Sequence, residues 1–219
     1  MLKVGLTGGI ASGKSVVGEM LAALGARLVQ ADWIAHQLML PGEPVYNEVV
    51  RHFGGGILNP DLSVNRAKLA EAAFGLAAPS AVPSSVVPSR IEELNRIVHP
   101  AVIRSQEEWM EEMGRQDAQA VAVVEAALII EAGAAKTFDR LIVVTCGEEQ
   151  RITRFAARQK LEFDAARREV ARRMAAQLPE TEKIKVADYV VDNSRSLEQT
   201  REQVRQVWEK LRSEAITKS

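Results

Sequence analysis

Cysteine is nearly absent from this chain of 219 residues, because Cys146 is its one cysteine. An intrachain disulfide is therefore excluded, and we expect a reducing compartment, the cytoplasm. Cys146 follows the apolar segment 141–145, so a buried, inert thiol is the expected state. No group of cysteines and histidines has the spacing of zinc ligands, which argues against a structural zinc site.

Aromatic residues and excess charge of one sign are also scarce. Aromatics make up 5% of the chain, too few for a base-stacking platform, and the net charge is −1. We therefore expect neither nucleic acid nor an anionic membrane as a partner. The most apolar stretch, 118–135, is interrupted by Gln119, Glu125 and Glu131, so we do not expect it to span a membrane. A strand that starts at Leu2 leaves no room for a signal peptide.

The most informative motif that is present runs from Gly8 to Ser15 and reads G-x-x-x-x-G-K-S. This is the complete pattern of a phosphate-binding loop. The apolar segment 2–7 before it is typical of a strand, and the apolar spacing after Ser15 is helical. We expect a nucleoside triphosphate site whose nucleotide-binding residues are Gly8, Gly9, Ile10, Ala11, Ser12, Gly13, Lys14, Ser15 and Val16.

Each residue type in this loop has a physical role. Gly8, Gly9 and Gly13 allow positive φ and a close approach of the backbone to phosphate. The N–H groups of the loop and of the following helix form an anion site. Lys14 supplies a positive charge for the β- and γ-phosphates, and the Ser15 hydroxyl is the candidate Mg²⁺ ligand.

The rest of the chain predicts an α/β fold with a parallel sheet. Near-continuous β-branched runs such as 121–124 are typical of strands that are buried on both faces. Helices separate them, which implies parallel crossovers. We predict strands at 2–7, 26–31, 121–124, 141–145 and 189–193. We predict helical segments over 33–74, 91–98, 100–113, 148–176 and 197–211, with a boundary at His99-Pro100 and an irregular loop over 75–90.

Phosphoryl transfer also needs a base, a carboxylate near the metal and cations. Asp32 follows the second predicted strand and is the candidate base, although a helix-capping role is equally open. Glu125 ends a buried strand and is a candidate to organise Mg²⁺ through water, or else a solvated carboxylate. Arg151, Arg154 and Arg158 share one helix face, which suits a lid over phosphates or a solvated charged helix. The lack of an N-K-x-D motif disfavours a GTPase.

Taken in order, several further segments carry a family resemblance. They resemble the dephospho-coenzyme A kinase family nearly from end to end. The matching blocks are 4–15, Ala31-Asp32, Pro41-Gly42, His52-Phe53-Gly54, Arg66 with Leu69, Phe74, 94–100, 128–131, the arginine helix, 176–179 and 187–193.

The resemblance implies a P-loop NTPase-type fold of three layers with a parallel sheet, a helical substrate-binding insertion and a helical lid. The expected parts are a nucleotide core (1–32, 96–146 and 186–219), an acceptor region (33–95) and a lid (147–185). The implied reaction is ATP-dependent, Mg²⁺-assisted phosphorylation of the ribose 3′-hydroxyl of dephospho-CoA, by a monomer or weak homo-oligomer.

The resemblance also assigns site residues. Asp32 matches the catalytic aspartate, Arg154 and Arg158 match the lid arginines, and Asn193 lies where the family closes on adenine. Lys14 completes the catalytic set. The chain departs from the family pattern at Gln30 and His36, where an acidic residue and an arginine are usual. It also departs at Ala127, within the segment 125–129 that reads D-x-P-L-L in the family, and at 159–160, where Asp-Gly is usual. Ala11 stands where the family has glycine, so its φ is expected to be negative.

Two alternatives remain open at this point. One is another small-molecule kinase, of the nucleoside monophosphate kinase type, which shares the phosphate loop. The other is a catalytically degenerate relative that binds nucleotide or coenzyme A without transfer, motivated by the departures at Gln30, His36 and Ala127.

Overall fold

A computed structural model describes residues 1–74 and 89–218. The strands are β1 (Leu2–Gly8), β2 (Arg27–Gln30), β3 (Val121–Glu125), β4 (Arg140–Thr145) and β5 (Tyr189–Asp192). The helices are α1 (Lys14–Ala23), α2 (Ala31–Leu38), α3 (Pro44–Phe53), α4 (Arg66–Phe74), α5 (Ile91–Gln116), α6 (Glu148–Gln159), α7 (Phe163–Ala175), α8 (Glu180–Lys185) and α9 (Leu197–Lys218). Short 3₁₀ turns occur at Gly55–Ile57 and Ala134–Thr137.

The chain divides into two compact units. One comprises Met1–Gln30 with Trp109–Ser219, and the other comprises Ala31–Glu108. The finer division into core, acceptor region and lid that the sequence suggests stays a prediction. Over the described ranges 1–74 and 89–218, no helix is both long and apolar enough to cross a membrane.

The first unit is built on a parallel sheet whose described strands lie in the order β2-β3-β1-β4-β5. Every pairing is parallel, with Leu6 beside Glu125 and Gly8 beside Val144. The central strands β1, β3 and β4 are buried on both faces, as their β-branched composition requires. The predicted strands and parallel sheet are confirmed, and the carboxyl ends of the strands bring Gln30 next to Glu125.

Both faces of this sheet are covered. On one face, alternate residues of the strands, such as Val4, Val123 and Ile142, pack against α1 and α9. On the other face, Leu141 and Val143 pack with Ile129 and the segment that follows β3. Strand alternation places the two sets on opposite sides, so the layered α/β architecture follows from the apolar pattern.

The second unit is helical in its described part. Pro44 begins α3 at the position where a missing N–H costs nothing. The Tyr46 hydroxyl donates a 2.6 Å hydrogen bond to the Leu62 carbonyl, which ties the turn after α3 to that helix. The predicted helical character of 33–74 is confirmed, while the predicted irregular loop falls almost wholly on residues 75–88, outside the described residues.

The predicted helix boundary at His99-Pro100 is wrong. A single helix, α5, runs from Ile91 to Gln116 with Pro100 inside it. Proline removes one helical hydrogen bond and disfavours the helical conformation of the residue before it, a cost of roughly 3 kcal/mol. Val98, Ala101 and Val102 are buried around the proline, and the burial of these apolar side chains offsets that cost.

Candidate nucleotide site

The phosphate loop connects the last residue of β1, Gly8, to the first residue of α1, Lys14. Gly13 stands at the N-terminal boundary of α1 with φ of 96°, a conformation that favours glycine. Its carbonyl accepts a 3.1 Å hydrogen bond from the Val17 N–H, which begins the helix. Strand, loop and helix therefore follow in the predicted order, and the N-terminal end of α1 faces the loop.

Lys14 and Ser15 occupy the positions that the motif predicts. The Lys14 ammonium donates hydrogen bonds of 3.1 and 3.2 Å to the carbonyls of Gly8 and Gly9. These contacts hold the positive charge against the loop backbone. The Ser15 hydroxyl donates a 2.7 Å hydrogen bond to Glu125 at the end of β3. The structure thus brings together the two hard oxygen donors that the sequence had suggested for Mg²⁺.

Glu125 is 8% exposed and has a second partner that sequence spacing does not reveal. The Gln30 side-chain amide donates a 3.1 Å hydrogen bond to its other carboxylate oxygen. The carboxylate is therefore oriented by Ser15 on one side and Gln30 on the other. The alternative interpretation of Glu125 as a solvated strand-end carboxylate is wrong.

Asn193 holds the phosphate loop from the end of β5. Its amide donates a 2.8 Å hydrogen bond to the Ser12 carbonyl and accepts a 3.0 Å bond from the Thr200 hydroxyl. Asn193 is 4% exposed, and a Cβ on Gly13 would lie 2.0 Å from its amide nitrogen. Asn193 therefore packs on the loop itself; its expected nearness to adenine stays a prediction.

The three arginines of α6 differ in burial and in what they contact. Arg154 donates to the Asn193 carbonyl at 3.0 Å and to the Ser12 carbonyl at 3.4 Å, so it lies at the phosphate loop. Arg151 is buried beneath the loop, with 2% exposure. Arg158 lies one turn farther along, where its guanidinium is 5.8 Å from the centre of the Phe155 ring. The lid role predicted for Arg151 is wrong, because its side chain is buried and bound to the loop backbone at Ile10. For Arg154 and Arg158 the lid role stays a prediction.

Helices α6 and α7 pack directly on the tip of the loop. Ile10 is buried against Ile152 and Phe155 of α6 and Val170 of α7. Apolar burial of this kind fixes the loop tip to the two helices. The alternative of a wholly solvated charged helix therefore does not describe α6.

Asp32 lies in the first turn of α2, two residues beyond the end of β2. Its side chain is exposed. Among the described residues its carboxylate accepts no hydrogen bond, so the helix-capping alternative gains no support. The role of Asp32 as a base stays a proposal.

Cys146 is buried at the end of β4, as predicted. Burial raises the pKa of its thiol above the ordinary value, and the positive charges of Arg151 and Arg154 act in the opposite direction with less effect. The thiol therefore stays neutral at physiological pH, in agreement with an inert residue.

Ala11 has φ of 52°, so the expectation of a negative φ at this position is wrong. A residue with a Cβ is strained there by roughly 1–2 kcal/mol relative to glycine. The expectation of a positive φ at Gly9 is also wrong. Glycine is required there by lack of space, because a Cβ would lie 2.0 Å from the Arg151 guanidinium.

We expect Ala11→Gly to raise the melting temperature by about 1–3 °C, because relief of the backbone strain outweighs the greater entropy of glycine in the unfolded chain. The matched control is Ala22→Gly in α1, where the backbone is helical and exposed, and where glycine is expected to lower stability by about 1 kcal/mol. Calorimetric melting checks both. Equal destabilisation by the two substitutions would contradict the strain at Ala11.

A glycine loop between a buried parallel strand and a helix, with lysine and serine at the helix start and a buried carboxylate against the serine, defines a P-loop enzyme of the α/β class. The family model described as dephospho-CoA kinase matches residues 2–199. The chain belongs to the dephospho-CoA kinase family. The predicted family, fold class and kinase activity are confirmed.

Individual relatives agree with this assignment. The chain is 39% identical over 208 residues to the dephospho-CoA kinase of Corynebacterium jeikeium, covering 95% of this chain and 98% of that one. It is 40% identical over 204 residues to that of Syntrophotalea carbinolica, covering 93% and 89%. Among solved structures, TT1252 from Thermus thermophilus superposes with a TM-score of 0.72 at 31% identity, covering 95% of this chain and 96% of that chain. Dephospho-CoA kinase from Campylobacter jejuni shows the same fold, with a TM-score of 0.59 at 22% identity over 95% and 96%.

Proposed function

We propose that this chain transfers the γ-phosphoryl group of ATP to the ribose 3′-hydroxyl of dephospho-CoA, yielding coenzyme A and ADP. The observation that carries the proposal is the complete phosphate loop, built as described, in a chain of this family. In the reaction a bond forms between the 3′-oxygen and the γ-phosphorus while the bond from that phosphorus to the β–γ bridging oxygen breaks. The hydroxyl proton passes to a base.

The donor half of the site is formed by the loop and Lys14. The loop N–H groups and the N-terminal end of α1 bind the β- and γ-phosphates, and the Lys14 ammonium neutralises the charge that moves to the leaving oxygen. Arg154, which already contacts the loop backbone at Ser12, adds a second positive charge beside the same phosphates. Arg158, one turn farther along α6, supplies the outer charge over the transferring group.

Asp32 supplies the acceptor half. A carboxylate beside the 3′-hydroxyl orients the nucleophile and accepts its proton late in the transfer. Its exposed position at the start of α2, without a hydrogen-bond partner in the described part of the chain, leaves the carboxylate available to the acceptor.

The residues beside the loop fit a Mg²⁺ ion. Mg²⁺ prefers oxygen ligands and is commonly held by one or two protein groups together with substrate phosphates. The Ser15 hydroxyl and the buried Glu125 carboxylate provide such oxygens, and Gln30 orients the carboxylate. Ser15 would hold the ion directly and Glu125 would hold it through water. When bound, the ion would neutralise charge on the β- and γ-phosphates.

We expect Glu125→Gln to raise the Mg²⁺ concentration for half-maximal activity about 10- to 100-fold, because an amide is a far weaker partner for a hydrated cation than a carboxylate. A magnesium titration of ADP release at saturating ATP measures this. Glu19→Gln, an exposed substitution on α1, is the control and should leave the titration unchanged. An unchanged magnesium midpoint in Glu125→Gln would remove Glu125 from the metal site.

An acceptor panel tests the proposed function. ADP release is coupled to a spectrophotometric assay with dephospho-CoA, nucleoside monophosphates or water as the acceptor. The proposal requires turnover with dephospho-CoA well above that with every other acceptor. Preference for a monophosphate would favour the nucleoside monophosphate kinase alternative. Tight calorimetric binding of ATP or coenzyme A without any transfer would favour the degenerate relative.

The setting of the enzyme is part of the same proposal. A lone buried thiol and a triphosphate-dependent reaction suit the cytoplasm, where ATP is present and cysteines stay reduced. We expect the enzyme to act as a monomer or weak homo-oligomer on two small-molecule substrates, ATP and dephospho-CoA.

A further inference from the structure

A buried arginine lies directly beneath the phosphate loop. Arg151 is 2% exposed, and one of its terminal nitrogens donates a 3.3 Å hydrogen bond to the Ile10 carbonyl. The other donates at 3.0 Å to the Cys146 carbonyl and at 2.7 Å to the Glu180 carboxylate. A buried guanidinium requires a counter-charge and several acceptors. The two terminal nitrogens of Arg151 have them, while its Nε has no hydrogen-bond partner among the described residues.

The Arg151 guanidinium fills the space that a side chain at Gly9 would need. A Cβ on Gly9 would lie 2.0 Å from the nearest guanidinium nitrogen. The loop backbone therefore rests on the arginine at this point, and only glycine permits that approach. The contact makes Arg151 part of the loop's support, not of a lid face.

Glu180 is the first residue of α8, and a second ion pair fixes the position of this helix. The same short helix carries Lys183, which is 1% exposed and forms a 2.7 Å ion pair with Glu131. Glu131 also accepts a hydrogen bond from the Leu178 N–H. The Lys183–Glu131 ion pair thus fixes α8 in place. Because Glu180 belongs to the same helix, its ion pair with Arg151 holds the guanidinium against the loop.

The bond to Ile10 decides the direction of one loop peptide. The C=O and N–H of a trans peptide point in opposite directions. Because the Ile10 carbonyl points to Arg151, the Ala11 N–H points away from Arg151. A flip of this peptide would reverse both groups and place a carbonyl where phosphate binds.

Ala11 makes such a flip easier. A peptide flip rotates φ of the following residue by about 180°, which would take Ala11 from its strained value of 52° to a negative φ, the sign that residues with a Cβ prefer. The strain at Ala11 favours the flipped peptide, whereas the hydrogen bond from Arg151 opposes it. The two residues therefore act on the same equilibrium in opposite directions.

We propose that Arg151, paired with Glu180, is a positioning residue of the nucleotide site that holds the Ile10–Ala11 peptide in its phosphate-binding orientation against the strain at Ala11. This inference rests on the proposed function, since it concerns the same triphosphate site. It predicts coupling between residues 11 and 151 in the binding of ATP.

The test is calorimetric binding of MgATP, without acceptor, to four proteins: the native chain, Arg151→Met, Ala11→Gly and the double variant. Arg151→Met is expected to weaken MgATP binding at least about tenfold in the native background. With Ala11→Gly the same change should cost only about threefold, because glycine removes the strain that drives the flip. At saturating MgATP, kcat for dephospho-CoA should stay within about threefold of native.

Arg172→Met is the matched control, since Arg172 is an exposed arginine on α7 paired with Glu169; its MgATP affinity should be native. All titrations are made well below each melting temperature, so that general destabilisation does not alter affinity. Where Arg151→Met does not fold, Arg151→Lys in the two backgrounds replaces it, and the same unequal losses are expected. Native affinity in the Arg151 variants, or equal losses in both backgrounds, would overturn the inference. Failure of the native chain to bind MgATP would instead overturn the proposed function.

Discussion

Replacing Lys14 by alanine is expected to lower kcat/KM for ATP by about 10³-fold. The ammonium is held against the Gly8 and Gly9 carbonyls, in the loop that is proposed to bind the β- and γ-phosphates. Loss of one fixed charge from a site that stabilises developing negative charge costs about 10²–10³-fold in rate, and weaker ground-state binding of the triphosphate adds to this. At 1.36 kcal/mol for each factor of ten, the expected loss is ~4 kcal/mol of transition-state stabilisation.

Steady-state kinetics with ATP as the varied substrate measure this loss. Lys185→Ala is the control, because Lys185 is an exposed lysine of α8 that pairs only with the nearby Glu182 among the described residues. The control should keep native kinetics. A loss of less than tenfold in Lys14→Ala would mean that the loop binds phosphate through its N–H groups alone, and would remove Lys14 from the catalytic set.

Changing Asp32 to asparagine is expected to lower kcat by 10²–10⁴-fold while the KM values for both substrates change little. Asparagine keeps the size and polarity of the side chain but cannot accept a proton from the acceptor hydroxyl. A base acts mainly in the transition state, so its loss affects kcat more than ground-state binding. The side chain is exposed and without a hydrogen-bond partner in the described ranges, so the substitution should leave stability within ~0.5 kcal/mol.

Rates at saturating ATP and dephospho-CoA decide the outcome, with thermal melting measured alongside. Asp164→Asn, an exposed position in the first turn of α7, is the matched substitution and should leave kcat unchanged. If Asp32→Asn turned over at the native rate, the base would have to be sought elsewhere. If it lost activity only through a lower melting temperature, a structural role would replace the catalytic one.

Much of the fold and the donor half of the site could be predicted from the sequence because their signals are local. The glycine loop lies between a strand and a helix, and each of these has an apolar pattern that identifies it. Glu125 ends a strand whose β-branched composition predicts its burial. Strands that are parallel meet at one edge, so the closeness of Ser15 and Glu125 follows from topology once the strands are known.

Contacts between distant parts of the chain could not be predicted in the same way. Arg151 has the same helical spacing as Arg154 and Arg158, but its burial depends on Glu180, 29 residues later, and on the space left by Gly9. Helical spacing alone cannot show which of several arginines is buried. The helix boundary predicted at Pro100 is wrong for a similar reason. The local preference of proline for a helix end is overridden by the burial of its apolar neighbours in α5.

Ala11 shows how a local rule fails at a site. Left-handed backbone is rare for alanine, so negative φ was the natural expectation. The phosphate loop imposes the conformation instead, with Arg151 bound to the preceding carbonyl and Asn193 bound to the following turn. Strained residues of this kind are held at functional sites by the contacts around them.

The most direct test of the central claim is identification of the phosphorylated product. The native chain is incubated with Mg²⁺, ATP labelled in the γ-phosphoryl group and dephospho-CoA, and the product is examined by mass spectrometry and phosphorus NMR. The proposed function predicts coenzyme A carrying the label as a phosphomonoester on the ribose 3′-oxygen, with one ADP formed for each coenzyme A. Label found only in inorganic phosphate, or on another acceptor atom, would contradict it.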